Sequence, residues 1–168
     1  MTGSPSYARR NPFVAAINGV AIGVGLAMVL PFDRLVAAEG AKLSVRFVKL
    51  GLVPELASST FLPLRCGWGA ATDLMLSGRT VPAEEALALG LVDEVVAPGQ
   101  VLDVAIARAR SYAENSTTAV RSIKRLLTLN ANETDNHAAL KRELAALLEA
   151  YASPEHHEAV SAFLAPRR

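Results

Sequence analysis

Residues 11–33 read NPFVAAINGVAIGVGLAMVLPFD, and this stretch decides the fold. Residues 13–17 form a short apolar run with β-branched members, bounded by a proline and an Asn-Gly pair, which is typical of a fully buried strand. The glycines that follow allow a sharp turn, after which residues 26–30 can wind as a buried helix. The stretch therefore predicts a strand, a glycine turn and a helix in succession.

Residues 13–32 also lack charge over about the length that spans a bilayer, so a transmembrane helix is the alternative interpretation. Three glycines within seven residues and Pro31 near its end would make a poor lipid-facing helix. We therefore favour the buried strand, turn and helix.

The segment after this stretch continues the mixture of strands and helices. Residues 41–54 read as a loop-rich connection with one short strand and no long helix, because Gly51 and Pro54 interrupt it. Ser58-Ser59-Thr60 can cap a helix. This helix ends at Cys66-Gly67, and a second helix covers 68–76. A third helix is opened by Pro82 and closed by Gly90. The predicted strands are 33–38 and, as a strand or extended connector, 92–96.

The last third of the chain is helical by its period of apolar residues. Ser153-Pro154 is expected to begin the last helix, with the serine as cap and the proline in the first turn, and this helix ends near Phe163. Three apolar stripes are predicted: Val101, Val104, Ala105 and Tyr112; Ala119, Val120, Ile123, Leu126 and Leu127; and Leu140, Leu144, Leu147, Leu148 and Tyr151.

The predicted fold class is α/β, with a layered core followed by helices. We expect a disordered tail at 1–10, a core at 11–98 and a helical region at 99–168.

Charge and cysteine content exclude several classes of function. Lys and Arg number 17 against 16 Asp and Glu, so no strong field would attract nucleic acid or anionic lipid. Cys66 is the only cysteine, and nothing resembles metal-ligand spacing. A cytoplasmic setting fits best, because the polar N-terminal residues lack the apolar stretch of a secretory signal.

The sequence resembles the crotonase superfamily of enoyl-CoA hydratases and isomerases. NPFVAAINGVAIGVGLAMVLPFD is similar to the family's Pro-led strand, Asn-Gly and glycine cluster before an Asp, and AKLSVRFVKLGLVPE, LMLSGRTVPAEEALALGLVDEVV and EAVSAFLAPRR continue the likeness in order. The resemblance covers residues 11–168 and implies the C-terminal part of a ββα spiral core, followed by a trimerisation region. It also implies an acyl-CoA thioester as substrate and no separate cofactor.

The family's chemistry proceeds through a thioester enolate, whose oxygen is held by two backbone N–H groups. The resemblance places the second donor at Val24, where the family usually has glycine, and the first donor in the family's N-terminal half. It also places Gly23, Gly25 and Leu52 against the substrate. The alternative for the glycines is tight packing of the turn, and the spacing GxxxGxG disfavours a dinucleotide-binding loop.

Hydratases of this family use two glutamates, and those positions are Ala27 and Phe47 here. Neither side chain can move a proton, so ordinary hydration is disfavoured. Glu55 lies where Δ3,Δ2-enoyl-CoA isomerases carry their single catalytic carboxylate. Its alternative role is that of a solvent-facing carboxylate in the first turn of a helix.

In related proteins the CoA nucleotide contacts positions that correspond to Lys124, Arg125 and Phe163, sometimes from a neighbouring subunit. The alternatives are a solvated face for the two cations and a core position for the aromatic ring. We expect a homotrimer or homohexamer that isomerises an enoyl-CoA. A non-catalytic scaffold subunit remains open, and a hydratase is less favoured.

Overall fold

The computed structural model describes residues 11–165, and the tail predicted at 1–10 lies outside them. The chain divides into two compact units, one of residues 13–109 and one whose described part is 11–12 with 110–165. The first unit contains all six strands of the described residues and carries the core, as the sequence predicts for an α/β protein.

Two small sheets organise the first unit. Strands β1 (Val14–Ile17), β3 (Arg34–Ala38) and β6 (Glu94–Val96) form a parallel sheet in the order β1-β3-β6. In the second sheet β2 (Ala21–Ile22) runs parallel to β4 (Lys42–Ser44), which pairs antiparallel with β5 (Val81–Pro82). The middle strand β3 is a nearly continuous apolar run because it is covered on both faces.

Short helices and turns connect these strands. Helix α1 covers only Val24–Ala27, shorter than the predicted 26–30, and a 3₁₀ helix follows β4 at Arg46–Leu50. Helix α3 is Ala83–Ala88, preceded by Pro82 and followed by the left-handed Gly90, as predicted. Within residues 11–165 no helix is both long enough and apolar enough to cross a bilayer.

The long helix α2 covers Ser58–Ser77 and is kinked at Gly67. Gly67 has φ 75° and ψ 166°, which breaks the helix where the sequence predicts the junction of two helices. The predicted cap by Ser58, Ser59 or Thr60 is wrong. Ala57 takes the cap position, and its carbonyl oxygen instead accepts the N–H groups of Thr60 and Phe61 at 2.9 and 3.1 Å.

One partly buried arginine ties α2 to the sheet. The guanidinium group of Arg65 donates to the carbonyl oxygens of Leu30 (2.7 Å) and Phe32, and to Asp93 Oδ2 at 3.3 Å. Asp93 Oδ2 also accepts the N–H of Leu35 at 2.7 Å. Burial lowers the pKa of Arg65, while its partner Asp93 acts in the opposite direction. Arg65 therefore joins α2 to the segment of Leu30 and Phe32 and to Asp93, and Asp93 in turn holds β3.

The second unit consists of helices with side-chain caps. Helix α4 covers Val101–Ala113 and runs from the first unit into the second, followed by α5 (Thr117–Asn130), α6 (Asn136–Tyr151) and α7 (Pro154–Leu164). Ser153 Oγ accepts the N–H of His156, which confirms the predicted serine cap of α7. The hairpin between α5 and α6 is closed by Arg142, which donates to Asn130 and Glu133.

We predict that Arg65→Leu lowers the free energy of unfolding by about 1–3 kcal/mol, because two carbonyl groups lose their donor and Asp93 loses one of its two donors. Denaturant midpoints measure the change. Arg79→Leu is the matched control, since Arg79 also binds two carboxylates, Asp73 and Glu85, but at the surface. Equal losses in the two variants would contradict the role of Arg65.

A second prediction concerns pH. Hydrogen bonds from Arg108, and then from Arg34, lower the pKa of Glu94 below its ordinary value of 4.5. The stability that Glu94 contributes is therefore complete above pH 4.5 and is lost as the pH falls through the lower folded-state pKa. Urea midpoints of wild type and Glu94→Gln should differ at pH 7 and converge in acid. A difference in urea midpoint that is the same at every pH would refute this prediction. Glu39→Gln is the control, because Glu39 is an exposed carboxylate.

Candidate active site

The glycine turn after β2 sets the backbone of the candidate site. Gly23 has φ 58°, a left-handed conformation that favours glycine, and its N–H donates to the carbonyl oxygen of Ser44 at 2.8 Å. Its own carbonyl oxygen accepts the N–H of Ala27 at 2.9 Å. The first bond attaches the start of α1 to the end of β4, and the second closes the first turn of α1. Gly23 is therefore required by its conformation, whereas Gly25 is exposed and has a negative or extended φ.

Val24 is the first residue of α1, and its N–H has no acceptor among residues 11–165. Left-handed non-glycine residues in this range are Leu56 and Ala57, so Val24 keeps a negative φ despite standing where the family has glycine. Its side chain is 46% exposed. The backbone donor that the resemblance implies is thus available, at a helix end where an anion is favoured.

The two positions of the hydratase glutamates lie inside the apolar core. Ala27 is completely buried and Phe47 is 5% exposed. A Cβ placed on Gly23 would lie 3.8 Å from Cε1 of the Phe47 ring, so this ring packs against the glycine turn. The N–H of Leu52 donates to the Phe47 carbonyl oxygen at 3.0 Å. Phe47 therefore connects the turn to the segment that leads to Glu55.

Glu55 belongs to a tight turn before α2. Leu56 and Ala57 both have left-handed backbones, with φ 53° and 57°, and the N–H of Ser58 donates to the Glu55 carbonyl oxygen at 3.0 Å. Glu55 is exposed, and its carboxylate makes no ion pair or hydrogen bond within the described residues. The alternative that placed Glu55 in the first turn of a helix is wrong, because α2 begins at Ser58.

No residue in the sequence marks this turn, since left-handed pairs usually contain glycine, asparagine or aspartate. Sequence reasoning also missed the state of the Ser58 hydroxyl group. It is fully buried without a hydrogen-bond partner among residues 11–165, although a run of hydroxyl residues suggested a cap.

The remaining predicted site residues lie in the second unit. Lys124 is buried in α5, 9% exposed, so the interpretation as a solvated face is wrong for it, whereas Arg125 is exposed. Phe163 is 82% exposed near the end of α7, which contradicts a core position. Their proposed contact with the CoA nucleotide stays a prediction.

A model of the enoyl-CoA hydratase/isomerase family matches residues 6–168. The chain belongs to this family. An enoyl-CoA hydratase of Alternaria alternata is 40% identical over 160 residues, which are 95% of this chain and 54% of that protein. The 1,2-epoxyphenylacetyl-CoA isomerase of Escherichia coli is 36% identical over 157 residues, which are 93% of this chain and 59% of the relative.

Solved structures of the family agree with the fold. An enoyl-CoA hydratase/isomerase from Cupriavidus metallidurans has a TM-score of 0.88 at 32% identity, covering 96% of this chain and 64% of that one. An enoyl-CoA hydratase from Bacillus anthracis has a TM-score of 0.88 at 33% identity, covering 92% and 59%. The predicted crotonase-like fold is confirmed. The chain spans about half the length of the curated relatives it matches.

Proposed function

We propose that this enoyl-CoA hydratase/isomerase family protein moves a double bond in an enoyl-CoA thioester, with Glu55 as the single acid–base group. One observation carries the proposal: Ala27 and Phe47 are buried apolar residues, while Glu55 offers an unpaired carboxylate within the described residues. A reaction that needs one carboxylate suits this arrangement better than one that needs two.

The reaction proceeds by proton transfer through an enolate. The Glu55 carboxylate removes a proton from C2 of a 3-enoyl thioester, which is acidified by the neighbouring carbonyl group. Negative charge develops on the thioester oxygen, and the Val24 N–H donates to it. The protonated Glu55 then returns the proton to C4, so that the double bond lies between C2 and C3. The protein ends in its starting protonation state.

Hydration is the less favoured reaction, although many of the similar proteins carry hydratase names. It requires a group to activate water and a group to protonate the product. Ala27 and Phe47 can do neither, and loss of general acid–base groups costs on the order of 10²–10⁴ in rate. The names of the relatives therefore do not decide the reaction of this chain.

The thioester substrate supplies its own activating group, so the proposal needs no cofactor or metal. Gly23, Gly25 and Leu52 would line the acyl thioester, since the turn and the Leu52 segment are joined through Phe47. Lys124 and Phe163 would contact the CoA nucleotide. The cytoplasmic location stays a prediction from the single cysteine.

A homo-oligomer, trimeric or hexameric, is part of the proposal. The predicted apolar stripe of α6 is exposed along its length in the single chain. The residues of this stripe are Leu140, Leu144, Leu147, Leu148 and Tyr151. Phe163 of α7 is exposed as well. A continuous apolar stripe on an exposed helix is a common sign of an interface.

We predict that the protein converts a 3-enoyl-CoA to the conjugated 2-enoyl-CoA, and that Glu55→Gln lowers kcat by about 10²–10⁴, because the amide cannot carry the proton. The absorbance of the conjugated thioester measures turnover. Glu39→Gln is the control, since Glu39 is also an exposed carboxylate and lies outside the site.

Unchanged turnover in Glu55→Gln would refute Glu55 as the base. No turnover in the wild type, together with no binding of CoA thioester, would favour the non-catalytic scaffold. Hydration of a 2-enoyl-CoA by the wild type would favour the hydratase.

We also predict that Leu144→Glu dissociates the oligomer, because it places a charge in the middle of the α6 stripe. Sedimentation velocity at micromolar concentration should show a trimer or hexamer for the wild type and smaller species for the variant. Lys141→Glu, an exposed charge change on the same helix, is the control. A monomeric wild type would contradict the proposal.

A further inference from the structure

The turn that carries Glu55 is strained. Leu56 and Ala57 are consecutive left-handed residues, and neither is a glycine that would adopt this conformation without cost. Such backbone persists only where the surrounding structure holds it, and it is often found at functional sites. Here the N–H of Ser58 closes the turn on the Glu55 carbonyl oxygen at 3.0 Å. The turn therefore fixes where Glu55 leaves the backbone.

A second, independent feature lies at the other end of the same turn. The Ser58 side chain is fully buried, and its hydroxyl oxygen has no hydrogen-bond partner among the residues that the structure describes. Its neighbour Ser59 is exposed. A buried hydroxyl group without a partner is destabilising. This cost suggests that the hydroxyl group of Ser58 forms a hydrogen bond in another arrangement of the neighbouring side chains.

Glu55 is the carboxylate that shares a turn with Ser58. In a β-turn the first and fourth Cα atoms lie within about 7 Å of each other, and a glutamate side chain can cover much of that distance. Glu55 and Ser58 are the first and fourth residues of this turn. We propose that Ser58 is a positioning residue for Glu55: when the carboxylate turns inward from solvent, it accepts a hydrogen bond from Ser58 Oγ.

This inference rests on the proposed isomerase function and adds a residue to its site. A hydroxyl group both donates and accepts, so Ser58 can donate to the ionised carboxylate before proton removal. After Glu55 has taken the proton from C2, Ser58 Oγ can accept from the carboxylic acid. One side chain can thus hold Glu55 in place through both protonation states. Ser58 itself exchanges no proton with the substrate.

The inference makes an unusual combination of predictions for Ser58→Ala. Removal of an unpaired buried hydroxyl group should raise Tm by a few degrees. In the isomerase assay kcat should fall about tenfold with little change in KM. Ser59→Ala, the exposed neighbour, should change none of these.

The readouts separate this inference from the proposed function. A wild-type chain that is inactive on 3-enoyl-CoA would defeat the isomerase proposal and, with it, the function assigned to Ser58. Tm is measured without turnover, and a lower Tm in Ser58→Ala would overturn the inference alone, because Ser58 would then be a structural residue. An unchanged kcat in an active enzyme would also overturn it.

Discussion

The packing of the first unit depends on the hydrogen bonds that the guanidinium group of Arg65 donates. Arg65 lies in α2 and donates to Leu30, Phe32 and Asp93, and Asp93 in turn accepts the N–H of Leu35 in the central strand β3. A partly buried cation is tolerated when its donors are satisfied, and here the acceptors come from two segments outside α2. The same bonds fix α2 relative to the sheet, and the turn with Glu55 directly precedes α2.

The other end of the site is fixed by the glycine turn. Gly23 binds β4 through Ser44 and packs against the ring of Phe47, and Phe47 holds Leu52 through its carbonyl oxygen. An aromatic ring thus occupies the position of a proton-transfer group in family hydratases. The ring of Phe47 can pack but cannot transfer a proton, and in the proposed reaction the exposed carboxylate of Glu55 has that role.

Most of the secondary structure was predictable, because it follows from local rules. Strand β1, the left-handed Gly90, the kink at Gly67 and the cap by Ser153 all lie where the sequence places them. The absence of a cap at Ser58 was not predictable, because the left-handed pair Leu56-Ala57 lacks the residues that normally mark such a turn. For the candidate site, the sequence predicted which positions belong to it, but not how far each side chain is buried or what it binds.

The sequence by itself determined the family, the α/β order and the loss of carboxylates at positions 27 and 47, because residue identity and spacing are properties of the chain alone. Only the tertiary structure decided that Phe47 packs on Gly23, that Lys124 is buried and Phe163 exposed, and that the Ser58 hydroxyl group is buried without a partner. Burial and hydrogen bonding depend on segments distant in sequence, so no local pattern can specify them.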